Sequence, residues 1–61
     1  MNMEICVSMR GGDAFFIQLN TYQYSLLCMQ VRFKHSYEWE VSGRKFNAAD
    51  ITKLAPTALG L

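Results

Sequence analysis

The segment Met3–Asn20 reads MEICVSMRGGDAFFIQLN, and its large apolar residues, apart from Phe16, fall at odd positions on both sides of a glycine pair. The same odd spacing continues at Leu27 and Val31 and again at Trp39 and Val41. Because successive side chains of a strand point to opposite faces, this period of two predicts strands with one buried face. We predict a mainly β (α+β) fold, a curled antiparallel meander of four to five strands at about residues 3–10, 14–20, 24–34, 38–41 and 44–46.

Turn residues and the apolar pattern together predict how the first two strands pair. Gly11-Gly12-Asp13 has the composition of a three-residue hairpin loop. A shift by one residue would place apolar side chains opposite polar ones, so the register is strongly specified. The predicted pairs are Met9 with Phe15, Val7 with Ile17 and Ile5 with Leu19.

Two further connections are predicted near the end of the sheet. A loop at residues 35–37 gives complementary charges across the strands, which favours that register, and pairs Phe33 with Trp39, Lys34 with Glu38 and Arg32 with Glu40. A two-residue hairpin at Ser42-Gly43, with glycine where a positive φ is needed, pairs Trp39 with Phe46 and Glu40 with Lys45.

A short C-terminal helix is predicted at about residues 48–55. Asn47 has the side chain of an N-cap, and Asp50 would lie near the positive end of the helix. Phe46 and Ile51 have the spacing of a hydrophobic staple. Pro56 would end the helix at the preceding residue.

The composition is that of one small globular domain, residues 1–61, with 51% hydrophobic and 18% charged residues and a net charge of +1. Disorder and a polycationic phosphate-coating role are therefore excluded as classes. Ala14–Val31 carries no formal charge, but its glutamine, asparagine, serine and threonine residues are costly in a membrane. The amino terminus lacks the basic and apolar regions of a secretory signal. We expect a cytoplasmic protein, in the host cell cytoplasm if a phage encodes it.

The residues that carry chemistry are few and scattered. Cys6 and Cys28 are predicted on strands one and three, too far apart for a disulfide, so free thiols are expected. His35 is the one histidine and falls in a loop, which leaves no nucleophile–base pair and no zinc-ligand spacing. We expect no enzyme activity, no cofactor, no metal and no small-molecule substrate.

One face of the predicted sheet has the layout of a contact surface, with an apolar centre and a polar rim. In the predicted register Cys28 lies opposite Phe16. The residues expected to bind a protein partner are the anchors Phe16, Tyr24, Leu26 and Cys28, with Arg32, Lys34 and Tyr37 at the rim. The opposite reading is that the tail residues Leu59 and Leu61 fold back and cover this face.

A partner or a homodimer is also expected on the inner face of the sheet. A two-turn helix is about 12 Å long, whereas five strands span roughly 19 Å, so the helix cannot cover that face. Either the sheet curls into a small barrel that partly covers itself, or a second subunit or another partner completes the burial, as small domains often do by oligomerisation. We therefore predict a non-enzymatic protein-binding module that acts by steric occlusion, such as a phage or mobile-element inhibitor or adaptor of a host protein complex.

Two alternatives remain at this point. Basic residues interleaved with aromatics on a small sheet are typical of single-stranded nucleic-acid binding, and the candidates are Arg32, Lys34, Arg44 and Lys45. The second alternative is a structural subunit of a larger assembly.

Overall fold

A computed structural model describes residues 2–57 of the chain. Its elements, in order, are β1 (Asn2–Met9), β2 (Ala14–Asn20), α1 (Thr21–Arg32), β3 (Glu38–Val41), β4 (Arg44–Asn47), a 3₁₀ turn (Ala48–Asp50) and β5 (Ile51–Pro56). The strands form two antiparallel sheets, one in the order β2-β1-β5 and one made of β3 and β4. Across residues 2–57, no helix has the length and hydrophobicity needed to cross a membrane.

The mainly β class is confirmed, but the single meander with a C-terminal helix is wrong. Residues 24–34, predicted as a strand, lie largely in α1. Residues 51–55, predicted as helix, belong to β5. The helix thus lies between strands in the chain, and the last strand pairs with the first. Leu59 and Leu61, for which the alternative prediction was that they fold back over one face of the sheet, lie outside the described residues.

A capping box starts α1 immediately after β2. The Asn20 side chain accepts from the Gln23 backbone N–H at 2.8 Å, and the Gln23 side chain accepts from the Asn20 N–H at 3.0 Å. Two backbone donors that a helix start leaves unpaired are satisfied in this way. This capping box ends the strand at Asn20 and starts a helix at the next residue. The chain therefore does not continue into the third strand that was predicted.

The end of α1 is a Schellman-type cap with lysine in the left-handed position. Lys34 has φ of 53°, and its N–H donates to the Val31 carbonyl at 3.2 Å. The His35 N–H donates to the Gln30 carbonyl at 2.8 Å. This 6→1 and 5→2 pattern satisfies the last helix carbonyls. The predicted strand pairs of Lys34 with Glu38, Arg32 with Glu40 and Phe33 with Trp39 are therefore wrong.

The hydrophobic core lies between the inner face of the three-stranded sheet, α1 and the β3–β4 hairpin. Its fully buried side chains include Ile5 and Leu19 from the sheet and Leu27 from α1. From the hairpin, Trp39 donates its indole N–H to the buried Gln30 side chain of α1 at 2.7 Å. Helix and hairpin thus cover the inner face that the sequence analysis expected to remain open.

The β1–β2 register differs from the prediction by two residues. Val7 lies opposite Phe15 and Ile5 opposite Ile17, because the loop is Arg10–Gly12, closed by the Met9 N–H donating to the Asp13 carbonyl at 2.7 Å. A shift by two leaves every side chain on its predicted face. The inner and outer faces were therefore assigned correctly although the partners were not.

The β3–β4 hairpin agrees with its prediction. Trp39 lies opposite Phe46 and Glu40 opposite Lys45. Ser42 and Gly43 have φ of 55° and 75°, which are the positive values that a two-residue type I′ turn requires.

Asn47 is a cap, as predicted, but of a single 3₁₀ turn. Its side chain accepts from the Ala49 N–H at 2.8 Å. Beyond Asp50 the chain extends as β5 and pairs with β1, where Val7 lies opposite Leu54. The unpaired edge of β1 offers a ladder of backbone hydrogen bonds, which a two-turn helix would have left unused. This long-range pairing overrides the local helix signals.

Candidate functional site

The most distinctive surface of the molecule is the outward face of α1. Met29 is 51% exposed, and Phe33, at the C-cap four residues later, is 71% exposed. Residues four apart on a helix lie on the same side. We call these two side chains the α1 ridge. Tyr22, which is 75% exposed, adds a third large apolar side chain at the start of the helix.

A groove lies on each side of the α1 ridge. One has a volume of about 310 Å³ and is lined by Tyr24, Ser25, Cys28, Met29, Arg32 and Phe33. The other has a volume of about 410 Å³ and is lined by Leu26, Met29, Gln30, Phe33 and His35. Both grooves are mostly apolar, and they share the two ridge side chains. The arrangement is a raised apolar strip between two shallow apolar depressions.

The charges around the two grooves have one sign. Arg32 lines one groove and His35 lines the other, and among residues 2–57 no acidic residue lines either groove. Lys34 lies between these two residues in the chain. The ion pair found among residues 2–57 is Arg10 with Asp50 at 3.9 Å, far along the chain from these basic residues. The surface therefore favours an apolar ligand that carries negative charge.

Tyr24 and Cys28 stand one helical turn apart in the first groove. A side-chain hydrogen bond with Cys28, followed by partial burial and the charge of the neighbouring thiol group, raises the pKa of the Tyr24 hydroxyl above its ordinary value. The tyrosine therefore stays protonated across the physiological range and can donate a hydrogen bond. Cys28 and Cys6 are both free and half-buried.

The structure brings together four of the predicted contact residues. Tyr24, Leu26, Cys28 and Arg32 all lie on α1, and the first, third and fourth line the same groove. Leu26 lines the other groove. These residues share a helix, whereas the prediction placed them on a strand.

The remaining predicted contact residues lie elsewhere. Phe16 is on the outer face of the three-stranded sheet, opposite Cys6 rather than Cys28, and is 57% exposed. Strand alternation puts it on the side of the sheet away from α1. Lys34 is part of the helix cap. Tyr37 precedes β3, with its ring edge-on to Trp39 at 6.2 Å between centroids.

The sequence pattern did not identify Met29, Phe33 and Tyr22 as exposed side chains of a helix. The signal for them was present in the chain, because Asn20 followed by Gln23 is a capping-box pattern. A helix starting there puts Leu27 and Val31 on one face. Met29 and Phe33 then fall on another.

Two of the four basic residues of the nucleic-acid alternative lie beside an aromatic ring or opposite an acidic residue. The Arg44 guanidinium stacks over the Phe15 ring at 4.5 Å from its centroid. Lys45 lies opposite the acidic Glu40. Arg32 and Lys34 belong to the end of α1, separate in sequence from the hairpin. Within residues 2–57, no group of three or more His, Cys, Asp or Glu side chains is placed to hold a metal.

Comparison with protein-family models, with curated proteins and with solved structures finds no match to this chain.

Proposed function

We propose that this chain is a small protein-binding module, and that it holds an apolar, acid-flanked segment of a partner protein against the outward face of α1. The observation that carries the proposal is the exposed α1 ridge between two apolar grooves with basic and no acidic walls. Binding, rather than catalysis, is the role that such a surface supports.

The ridge would supply the affinity. Burying a fully exposed apolar side chain contributes about 1.5–3 kcal/mol. Met29 and Phe33, which are 51% and 71% exposed, would contribute about half to two thirds of that for each side chain. The flexible thioether of Met29 can adjust to the shape of the partner. The flanking grooves would receive apolar side chains of the partner on both sides of the ridge. This layout fits an amphipathic helix or an extended apolar segment.

The basic rim would supply the selectivity. Arg32 can form a two-point hydrogen-bonded pair with a carboxylate, and the imidazole of His35 in the opposite groove can donate a hydrogen bond to a second acidic group. A partner with lysine or arginine at its flanks would be repelled. Charges at the rim of an interface affect mainly the association rate and the salt dependence of binding.

Such binding would act by occlusion, because a segment held on α1 cannot contact other proteins. We include in the proposal the inhibitor or adaptor role expected for a phage or mobile-element protein, in the cytoplasm of a host cell. The support for this part is the small size of the chain, together with a contact surface on a single helix.

The test is selection of short peptides from a random displayed library on the purified protein. We expect enriched sequences to combine two or more large apolar residues with Asp or Glu. Phe33→Glu should weaken the selected peptides at least about thirtyfold, the loss expected for a central interface anchor. Phe16→Glu is the matched control, since it changes another exposed phenylalanine, 57% exposed against 71% for Phe33, on the other side of the molecule, and it should bind the single peptides as the wild type does.

Three outcomes contradict the proposal. The first is no enrichment over an unrelated protein. The second is a basic consensus among the selected peptides. The third is tight binding of a thymidine oligonucleotide with a steep salt dependence, lost in Arg32→Gln, which would favour the nucleic-acid alternative.

A further inference from the structure

Within residues 2–57, no strand pairs with the outer edge of β2. β2 is the last strand of the order β2-β1-β5. The Met9 N–H donates to the Asp13 carbonyl, so hydrogen-bonded pairs between β1 and β2 fall at odd-numbered residues. The backbone groups of Ala14, Phe16 and Gln18 therefore point away from β1. The side chains of these three residues are exposed.

The opposite edge of the same sheet is protected, whereas the β2 edge is not. β5 carries Lys53 and ends at Pro56, and the β1–β5 register shifts between Ser8 and Met9. Lysine, proline and bulges are the usual devices that stop strands from pairing. β2, with the sequence AFFIQLN, has no charge and no proline, and its register with β1 is regular from end to end. This difference indicates that the β2 edge, unlike the β5 edge, can pair with another strand.

We propose that β2 pairs antiparallel with β2 of a second copy of this chain, with the twofold axis at Phe16. Phe16 would lie opposite Phe16 of the second copy, and Ala14 of each copy would lie opposite Gln18 of the other. About six backbone hydrogen bonds form in such a pairing, in which residues 14–18 of one copy lie opposite residues 18–14 of the other. The two aromatic rings, each 57% exposed in the single chain, would cover each other.

A second copy fits this edge because the strand is complementary to itself. Antiparallel pairing of β2 with β2 brings no like charges together, since none is present. An isologous contact around a twofold axis is the commonest form of oligomer. A chain of 61 residues also has a small core, and small domains gain stability by associating.

Dimerisation through this edge would place the α1 ridges of both copies on the same side of the dimer. The twofold axis of an antiparallel edge pairing runs perpendicular to the sheet, so both α1 helices would lie on the same side. Two α1 ridges could then engage one bivalent partner with increased avidity. The pairing of β2 does not rest on the proposed function, whereas this bivalent use does.

Sedimentation equilibrium over a concentration series into the millimolar range tests the dimer without any ligand. We expect the wild type to show a monomer–dimer equilibrium. Phe16→Lys, which places two like charges at the axis, should weaken it at least tenfold. Phe33→Lys makes the same change to an exposed aromatic on α1 and should dimerise as the wild type does. A wild type that stays monomeric throughout overturns the proposal.

A cross-linking experiment tests the pairing even if Phe16→Lys fails to fold. In a background of Cys6→Ser and Cys28→Ser, Phe16→Cys should form a covalent dimer under mild oxidation. Opposite residues of a hydrogen-bonded pair have Cα atoms about 5.5 Å apart, within the range of a disulfide. Gln18→Cys is the control, because its two copies would lie about 13 Å apart along the strands. Equal cross-linking of both variants, or of neither, contradicts the proposed register.

Discussion

Replacing Gln30 by methionine should destabilise the protein through one buried hydrogen bond. The Gln30 side chain accepts from the Trp39 indole N–H at 2.7 Å, and the two residues are 7% and 8% exposed. Methionine keeps the length and helix preference of glutamine but cannot accept from the indole as glutamine does. The N–H would remain buried without a partner, which costs about 1–3 kcal/mol.

That loss is large for a domain of this size. At roughly 0.05–0.15 kcal/mol per residue, 61 residues have a free energy of unfolding of about 3–9 kcal/mol. Gln30→Met should therefore lower Tm by at least about 4 °C. The free energy of unfolding is best measured by urea titration followed by circular dichroism, since Trp39 is itself changed in the companion variant.

Trp39→Phe and the double variant complete the cycle. Removing both partners leaves neither the indole N–H nor the glutamine amide unpaired, so the double variant should lose less than the sum of the single changes, by about 0.5–1.5 kcal/mol. Gln18→Met, on the exposed face of β2, is the control and should stay within about 0.5 kcal/mol of the wild type. A Gln30→Met variant as stable as the control, or strict additivity in the cycle, would refute the reasoning.

The remaining predictions concern the two ends of α1 and its tyrosine. Lys34→Gly should stabilise the fold by about 0.5–1 kcal/mol in urea titration, because lysine at φ of 53° is strained where glycine is not; an unchanged or lower stability would contradict the cap. Asn20→Ala should cost about 1 kcal/mol by removing the capping box, and no loss would mean that α1 starts without it. The pKa of the Tyr24 hydroxyl is raised in the folded protein. The contribution of this residue to the free energy of unfolding is therefore complete below the ordinary tyrosine pKa and declines as pH rises through the higher folded value. Tyr24→Phe should remove this loss of stability at alkaline pH, and identical pH–stability curves for the variant and the wild type would refute it.

Turn residues and the alternation of apolar residues were enough to predict the features of the fold that depend on nearby residues in the chain. Ser42-Gly43 specifies the β3–β4 hairpin and its register, because few residues other than glycine tolerate the positive φ at that turn. In β1 and β2 the alternation assigned every side chain to its face. The loop was misplaced by one residue, and this moved the partners by two without exchanging the faces.

The run Leu27, Met29, Val31 and Phe33 shows why α1 was mistaken for a strand. A period of two over four residues contains two pairs spaced by four, and residues four apart share a helix face. The alternation therefore fits a strand with one apolar face. It fits equally well a helix with Leu27 buried and Met29 exposed. The capping box at Asn20 distinguishes the two structures.

The sequence could not predict β5 or the position of the exposed α1 ridge. Asn47 and Asp50 are genuine helix-start signals, and they do start a 3₁₀ turn. Only pairing with β1, more than forty residues earlier in the chain, makes Ile51–Pro56 a strand. The predicted anchor Phe16 and the groove residue Cys28 were separated for a similar reason. Once residues 21–32 form a helix, they pack on the inner face of the sheet, whereas Phe16 faces outward.

The central claim is that the α1 ridge and its grooves bind a partner. Amide chemical shifts recorded during titration with a library-selected peptide test this most directly. We predict that the largest changes occur at Met29, Phe33 and the residues lining the two grooves, with the outer face of the sheet unaffected. Shifts centred on Phe16 and Cys6, with α1 unchanged, would contradict the account.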